Sequence, residues 1–242
     1  MIDHQSSIPL YQQIADTLKG NIHSGVYVEG DKLPSEKQLS EQYDVSRITV
    51  RQAMNALLAE ELVFSVQGKG TFVKTVKIQQ KIRKITRFSR ILSEKGVSGR
   101  TRIYSFDEAC DDEKALSLFP AGCVSICLLG YARSSPVAYY SSFVAAGYGR
   151  AMRGQAEELE KRGQAFTTLD LWDLAGASIA RVEQSVSACG RTAVTDEVFG
   201  RFAPPAYLVL ETYYYSGDDR LLEHKKAYYR CDVYSFQLDR EI

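Results

Sequence analysis

Three short helical runs and a glycine-tipped alternating segment, all within residues 9–73, constrain this 242-residue chain more than any other feature. Pro9 suits the first turn of a helix, and Ile14, Leu18 and Ile22 recur every four residues until Gly25 offers a stop. Ser35 can cap a second helix, with Gln38 at the reciprocal capping-box position and Leu39 facing inward; this helix ends near Tyr43. Ser46 caps a third helix, longer than the second, whose Val50, Met54, Leu57 and Leu58 form one apolar side. Two capped helices joined by a few residues make a helix-turn-helix. Residues 62–66 and 71–73 then flank Gln67-Gly68-Lys69-Gly70, which predicts a tight hairpin with a cationic, glycine-rich tip. No third glycine follows at the distance a dinucleotide fingerprint needs, and a strand rather than a helix comes next.

The polar side of the third helix indicates a partner. Arg47 and Arg51, one turn apart, project from its first half away from the apolar stripe, with Thr49 and Gln52 beside them. Arginine grips a guanine edge through two parallel hydrogen bonds or neutralises a phosphate, and the start of a recognition helix is the part that reaches bases. Two arginines on an exposed helix face are by themselves ordinary solvation; the glycine-tipped hairpin next to them points to duplex DNA. Residues 1–75 nevertheless hold seven Lys and Arg against nine Asp and Glu, a net charge of −2. Affinity for DNA scales with the phosphates neutralised, so one copy is expected to bind weakly and two copies on paired half-sites to be required.

With 30 basic and 30 acidic residues and 45% hydrophobic content, the chain can bury real cores, which excludes disorder over most of its length. Its longest apolar runs fall short of the roughly 18 residues a membrane span needs, and the first residues lack a signal-peptide layout. A cytoplasmic protein with no membrane partner is expected. Five cysteines, with no C-x-x-C pair, argue against a disulfide framework or a zinc module. Between Lys74 and Lys95 eight basic residues accompany a single acid, Glu94. That run reads as a solvated linker over residues 76–87, dividing a helical unit (1–75) from a strand-rich one (88–242). In the latter, helices are expected from Asp111 or Asp112 through Leu118, over 155–162, over 168–174 and over 195–202. Strands are expected over 124–132, 137–144, 179–189, 207–215 and 221–231. Antiparallel hairpins with interspersed helices make this an α+β domain.

The runs Pro9-Leu10-Tyr11-Gln12-Gln13-Ile14, Lys32-Leu33-Pro34-Ser35-Glu36, Val45-Ser46-Arg47-Ile48-Thr49-Val50-Arg51-Gln52-Ala53 and Gln67-Gly68-Lys69-Gly70-Thr71-Phe72-Val73 closely resemble the winged helix-turn-helix of the GntR family of bacterial transcription regulators. The resemblance implies DNA contacts from Lys37, Ser46, Arg47, Thr49, Arg51, Gln67, Gly68 and Lys69. The second unit resembles the UTRA effector domain of the HutC branch, which shares the chorismate lyase fold, through Phe88-Ser89, Pro136, Thr168-Leu169, Glu223, Tyr229-Arg230 and Asp232. By position this implicates Phe88, Ser89, Arg133, Tyr140, Thr168, Glu223 and Tyr229 in binding a small metabolite, Thr168 by standing at a helix start where backbone N–H groups hold an anion. Arg230 and Asp232 are at least as well suited to a structural pair.

Many relatives of that branch carry Arg-x-Arg before the hairpin and a Glu four residues after its Pro. Here Leu128-Leu129-Gly130 and Tyr140 stand at those places. Loss of two guanidinium groups removes a bidentate grip on phosphate, so a phosphosugar is not assumed. Tyr139, Tyr140, Tyr213, Tyr214, Tyr215, Tyr228 and Tyr229 offer either an aromatic pocket or ordinary cross-strand packing. The expectation is a homodimeric repressor on a palindromic operator, released by the metabolite, with no cofactor, metal or catalytic residue. The alternatives are a ligand-independent DNA-binding dimer and an enzyme using the lyase-like fold. Against the enzyme, the chain shows no nucleophile–base pair and only three histidines: His4, His23 and His224.

Overall fold

The computed structural model describes residues 2–3, 6–81, 85–108, 110 and 112–237. It divides into two compact units, the first of residues up to Val76 with Arg133–Ser135 and the second of Lys77–Ala132 with the residues from Pro136 onward.

In the first unit, α1 (Leu10–Ser24) runs from Pro9 to Gly25, whose φ of 85° ends the helix in the left-handed region. Helix α2 (Glu36–Tyr43) carries a complete capping box: Ser35 Oγ accepts from the Gln38 N–H, and the Ser35 N–H donates to Gln38 Oε1 at 2.9 Å. Helix α3 (Arg47–Ala59) starts at Ser46, whose Oγ accepts from the Thr49 N–H at 3.1 Å. Ile14, Leu18, Ile22, Leu39, Val50, Met54 and Leu57 close one core, with Leu58 half-buried at its margin. Strands β1 (Val63–Val66) and β2 (Gly70–Val73) pair antiparallel, with Val66 opposite Gly70, and Lys32 bridges to Phe72 on the far side of β2.

The second unit is α+β. Its six-stranded antiparallel sheet runs, in spatial order, β4 (Gly99–Asp107), β5 (Cys123–Ala132), β6 (Ser135–Ala145), β9 (Leu221–Arg230), β8 (Ala206–Tyr215) and β7 (Arg181–Gly190). Among the described residues it is punctuated by the α-helices α4 (Phe88–Ser93), α5 (Glu113–Leu118), α6 (Ala146–Lys161), α7 (Thr168–Leu174) and α8 (Ala193–Phe199). Strand β3 (Ile78–Lys81) pairs in parallel with β10 (Tyr234–Gln237). Within the stretch read as linker, Ile78–Lys81 is therefore a strand of the second unit, and Ile78 is buried; residues 82–84 lie outside the described residues. Four residues without a turn signal give no periodicity to read, and the strand's partner lies some 150 positions away.

Helix α6 begins nine residues before the expected Gln155. Its glycines lower helix propensity, but Gly149 is required by packing, since a Cβ there would lie 2.5 Å from Val124 Cγ1. Asp112 caps α5, accepting from the Ala115 N–H at 2.8 Å; Asp111 is outside the described residues. All five cysteines are free thiols. Burial pushes the Cys123 thiol up to about 12, so it stays protonated and inert at neutral pH. None of the helices among the described residues is long and apolar enough to cross a membrane.

Candidate nucleic-acid interface and ligand pocket

On α3, Ser46, Arg47, Arg51 and Gln52 are exposed and Thr49 is half-buried, its hydroxyl 2.9 Å from that of Ser46. Arg51 is engaged: its Nη2 lies 3.0 Å from Glu36 Oε2 and its Nε 3.2 Å from Oε1, which raises the guanidinium above its ordinary value. The pair is open to solvent, with the Arg51 side chain 65% exposed. Solvent-exposed ion pairs contribute little to stability, so a guanine edge or phosphate can replace the carboxylate at little cost. Glu36 ties the first turn of α2 to the second turn of α3, a coupling between residues 15 apart that no local pattern signals. Lys37, also exposed, stands 3.8 Å from Glu41. Ile48, between Arg47 and Thr49, is 72% exposed, an apolar side chain on the polar side of the helix.

The hairpin tip Gln67, Gly68 and Lys69 is exposed, and the Lys69 N–H donates to the Val66 carbonyl at 3.0 Å. Gly68 (φ 73°) and Gly70 (φ 121°) both occupy backbone regions that side chains rarely adopt. At Gly70 an added Cβ would also lie 2.7 Å from Lys32 Cε. Gly70→Ala is therefore expected to destabilise the first unit by about 1–3 kcal/mol, read as a lower denaturant midpoint by helix circular dichroism.

In the second unit, strand alternation decides which tyrosines share a cavity. Tyr140 on β6, Tyr214 on β8 and Tyr229 on β9 line one face of the sheet with Lys225, Thr212 and Gln184. Phe88 and Ile91 of α4, Thr167 and Leu169 at the start of α7, and Tyr234 and Phe236 of β10 close it. Tyr139 and Tyr228 pack on the opposite face with Phe199 and Tyr207. The enclosed space is about 50 Å3, enough for a few waters. It adjoins a wider cleft that shares Gln80, Ile85, Thr86, Ile91 and Leu169. Burial pushes the Tyr140, Tyr214, Tyr229 and Tyr234 phenols above their usual value, leaving them protonated as neutral donors. Gly130, where an Arg of the Arg-x-Arg pattern would stand, has a reason to be glycine: an added Cβ would meet the Phe88 ring at 2.9 Å and the Tyr140 ring at 3.3 Å. Aromatic rings occupy the room a guanidinium would need.

The charged group of this cavity is Lys225, which the sequence reading missed. Its Nζ donates to Thr168 Oγ1 at 3.0 Å, stands 3.6 Å from Glu223 Oε1 and lies 4.5 Å from the centre of the Tyr214 ring. Burial, the largest single influence, pushes this ammonium down; Glu223 together with the Tyr214 and Tyr229 hydroxyls outweighs it and holds Lys225 charged, above the ordinary lysine value. Glu223, fully buried, accepts from the Thr168 hydroxyl at 2.5 Å and from Trp172 Nε1 at 2.6 Å. Two charges at i and i+2 on a strand share a face, which was the available signal.

The expected ligand residues are therefore dispersed. Phe88, Tyr140 and Tyr229 line the cavity. Thr168 and Glu223 sit behind it, committed to each other and to Lys225. The start of α7 is not open to an anion on its Thr167 N–H, which donates at 2.8 Å to Asp170 Oδ2. Ser89 faces a separate groove with Arg87, Asp170 and Asp173. Arg133 occupies the β5–β6 turn at φ 54° and does not line the cavity. Arg230 pairs with Asp232 at 2.6 Å and donates to the Pro136 carbonyl at 3.1 Å, the structural alternative.

Residues 10–73 match the family model described as bacterial regulatory proteins, gntR family. The chain is 28% identical over 241 residues to the HTH-type transcriptional repressor NagR of Bacillus subtilis, covering 97% of this chain and 96% of that one. It is 38% identical over 99 residues to the mannosyl-D-glycerate transport/metabolism system repressor MngR of Escherichia coli, 41% of each chain. Among solved structures, PhnF from Mycobacterium smegmatis shares the fold with a TM-score of 0.58 and 20% identity, over 96% of this chain and 98% of that one.

Proposed function

Because this chain belongs to the GntR family of bacterial transcription regulators and binds DNA through its helix-turn-helix, we propose that it is a cytoplasmic, homodimeric repressor of the HutC branch. It holds a palindromic operator and releases it when a small metabolite enters the second unit. Arg47 and Arg51 read or clamp the major groove; Ser46, Thr49 and Lys37 fix the phosphate backbone; Gln67, Gly68 and Lys69 of the wing approach the duplex alongside. The observation that carries this reading is the capped start of α3, with Arg47 and Arg51 both exposed one turn apart. NagR and MngR, both named repressors, support the sign of control.

For the effector, the aromatic cavity with Lys225 is the favoured site, lined by Phe88, Tyr140 and Tyr229. Its one ammonium already faces Glu223, so the cavity favours a polar molecule over a doubly charged phosphate ester. At about 50 Å3 the cavity must open toward the adjoining cleft before a metabolite fits. Release follows if the ligand prefers a conformation whose half-site spacing mismatches the operator. Nuclease footprinting upstream of its own gene, with and without fractionated metabolite extracts, tests both parts. Two protected half-sites that vanish with one fraction are expected, and that fraction should raise the melting temperature. Protection indifferent to every fraction would favour the ligand-independent dimer, and no protection in any sequence offered would overturn the operator reading.

A further inference from the structure

Among the described residues Ile48 is the most exposed of the large apolar side chains, at 72%. A lone apolar residue on a protein surface is ordinary; what sets this one apart is its position. On a helix turning about 100° per residue, it stands about 170° from the centre of the buried stripe Val50, Ala53, Met54 and Leu57. The core of the first unit therefore gains nothing from it, and a β-branched residue slightly lowers helix propensity. Its neighbours on this outward side are polar: Arg51 follows three residues on and Gln52 four, both exposed, as is Asn55 two turns along. Ile48 thus sits in the middle of the polar side, in the first turn of α3, between Arg47 and the hydroxyl pair of Ser46 and Thr49.

The start of a recognition helix is the part that enters the major groove. There every base presents hydrogen-bonding groups along its edge, and thymine alone adds a C5-methyl group. Against a polar edge an isoleucine displaces water and returns no hydrogen bond, which is a net cost. Against a methyl it removes apolar surface from water on both partners, which is a net gain.

We propose that Ile48 determines specificity at one position of each half-site, by packing on the C5-methyl of a thymine in the major groove. This rests on the operator reading above and adds a base to it. Ile48 and Arg51 are one turn apart, which separates their Cβ atoms by about 5–6 Å, against about 3.4 Å between successive bases along a strand. The thymine therefore lies within about two base pairs of the pair that Arg51 reaches. The arginines supply attraction to phosphate or guanine, and Ile48 selects thymine over bases that offer it only a polar edge.

Deoxyuridine pairs as thymine does and lacks only the methyl, so it isolates this contact. The intact chain is titrated, by fluorescence anisotropy, against the duplex it protects in footprinting and against duplexes carrying deoxyuridine at one thymine of each half-site at a time. At one position the replacement should weaken wild-type binding by about fourfold per half-site, the effect of one buried methyl. Ile48→Ala, too short to reach the methyl, should bind the thymine and deoxyuridine duplexes equally, with an unchanged circular dichroism spectrum. Ile48→Val should restore part of the discrimination. A wild type indifferent to deoxyuridine at every position, or an Ile48→Ala variant that discriminates as wild type does, overturns the assignment and leaves the operator reading standing. An Ile48→Ala variant that instead alters the sedimentation of the free protein places the residue at a protein contact and also overturns it. Failure to bind any duplex offered overturns the operator reading itself.

Discussion

Glu223→Ala is expected to destabilise the second unit by about 3–5 kcal/mol, because it strands the Lys225 ammonium in a buried site with no carboxylate to face. The same change leaves Trp172 Nε1 and the Thr168 hydroxyl without their acceptor. Breaking one partner of a buried pair costs more than removing both, since the surviving charge has lost water and its counterion together. Glu223→Ala combined with Lys225→Met should therefore recover a large part of the loss. Trp172 is the one tryptophan of the chain, buried, and bonded to Glu223 itself, so urea titration followed by its fluorescence reports on this unit directly. A single substitution within about 1 kcal/mol of wild type, below the range for a broken buried pair, would mean that Glu223 and Lys225 are not a buried ion pair in solution. Loss of ligand response alone, with stability intact, would restore Glu223 to the role of ligand contact suggested by its position in the sequence.

Arg51→Ala should weaken operator binding by about 1–3 kcal/mol at each half-site while leaving the denaturation midpoint of the first unit unchanged. Its side chain is largely exposed, and the Glu36 pair it abandons is worth little to folding. Arg51→Lys separates two ways of using the charge. A lysine keeps the attraction to phosphate but cannot make the two parallel bonds that read guanine, so a base-reading role predicts nearly the full loss and relaxed sequence preference. Fluorescence anisotropy against operator and scrambled duplexes at several salt concentrations distinguishes them. Unchanged affinity for the Ala variant would remove Arg51 from the interface.

How much of this was legible in advance depended on the range of the interaction. Ser35 with Gln38, Ser46 with Thr49, and the Gly68 turn are contacts within three or four residues, so identity and spacing define them. The β8–β9 hairpin was legible for the same reason: its two strands are joined by five residues that hold the turn signal Gly217-Asp218-Asp219. The pocket was less so. Phe88, Tyr140 and Tyr229 come from three elements that only the sheet order and the crossing of α4 bring together. Glu223 was implicated in ligand binding by its position in the family resemblance, which carries no sign that its oxygens accept from Thr168 and Trp172, some 50 residues away.

The capped third helix, the glycine-tipped hairpin, the α+β class of the second unit and the resemblance of residues 10–73 to the gntR family all follow from the order of residues alone, because they rest on local periodicity and turn chemistry. Long-range packing supplied the rest: Lys225 rather than Glu223 lines the cavity, Gly130 makes room for two aromatic rings, and Ile78–Lys81 of the basic stretch is a strand. The physical reason is that burial, ion pairing and strand neighbours depend on which distant segments meet. A side chain's type limits what it can do there without saying whom it meets.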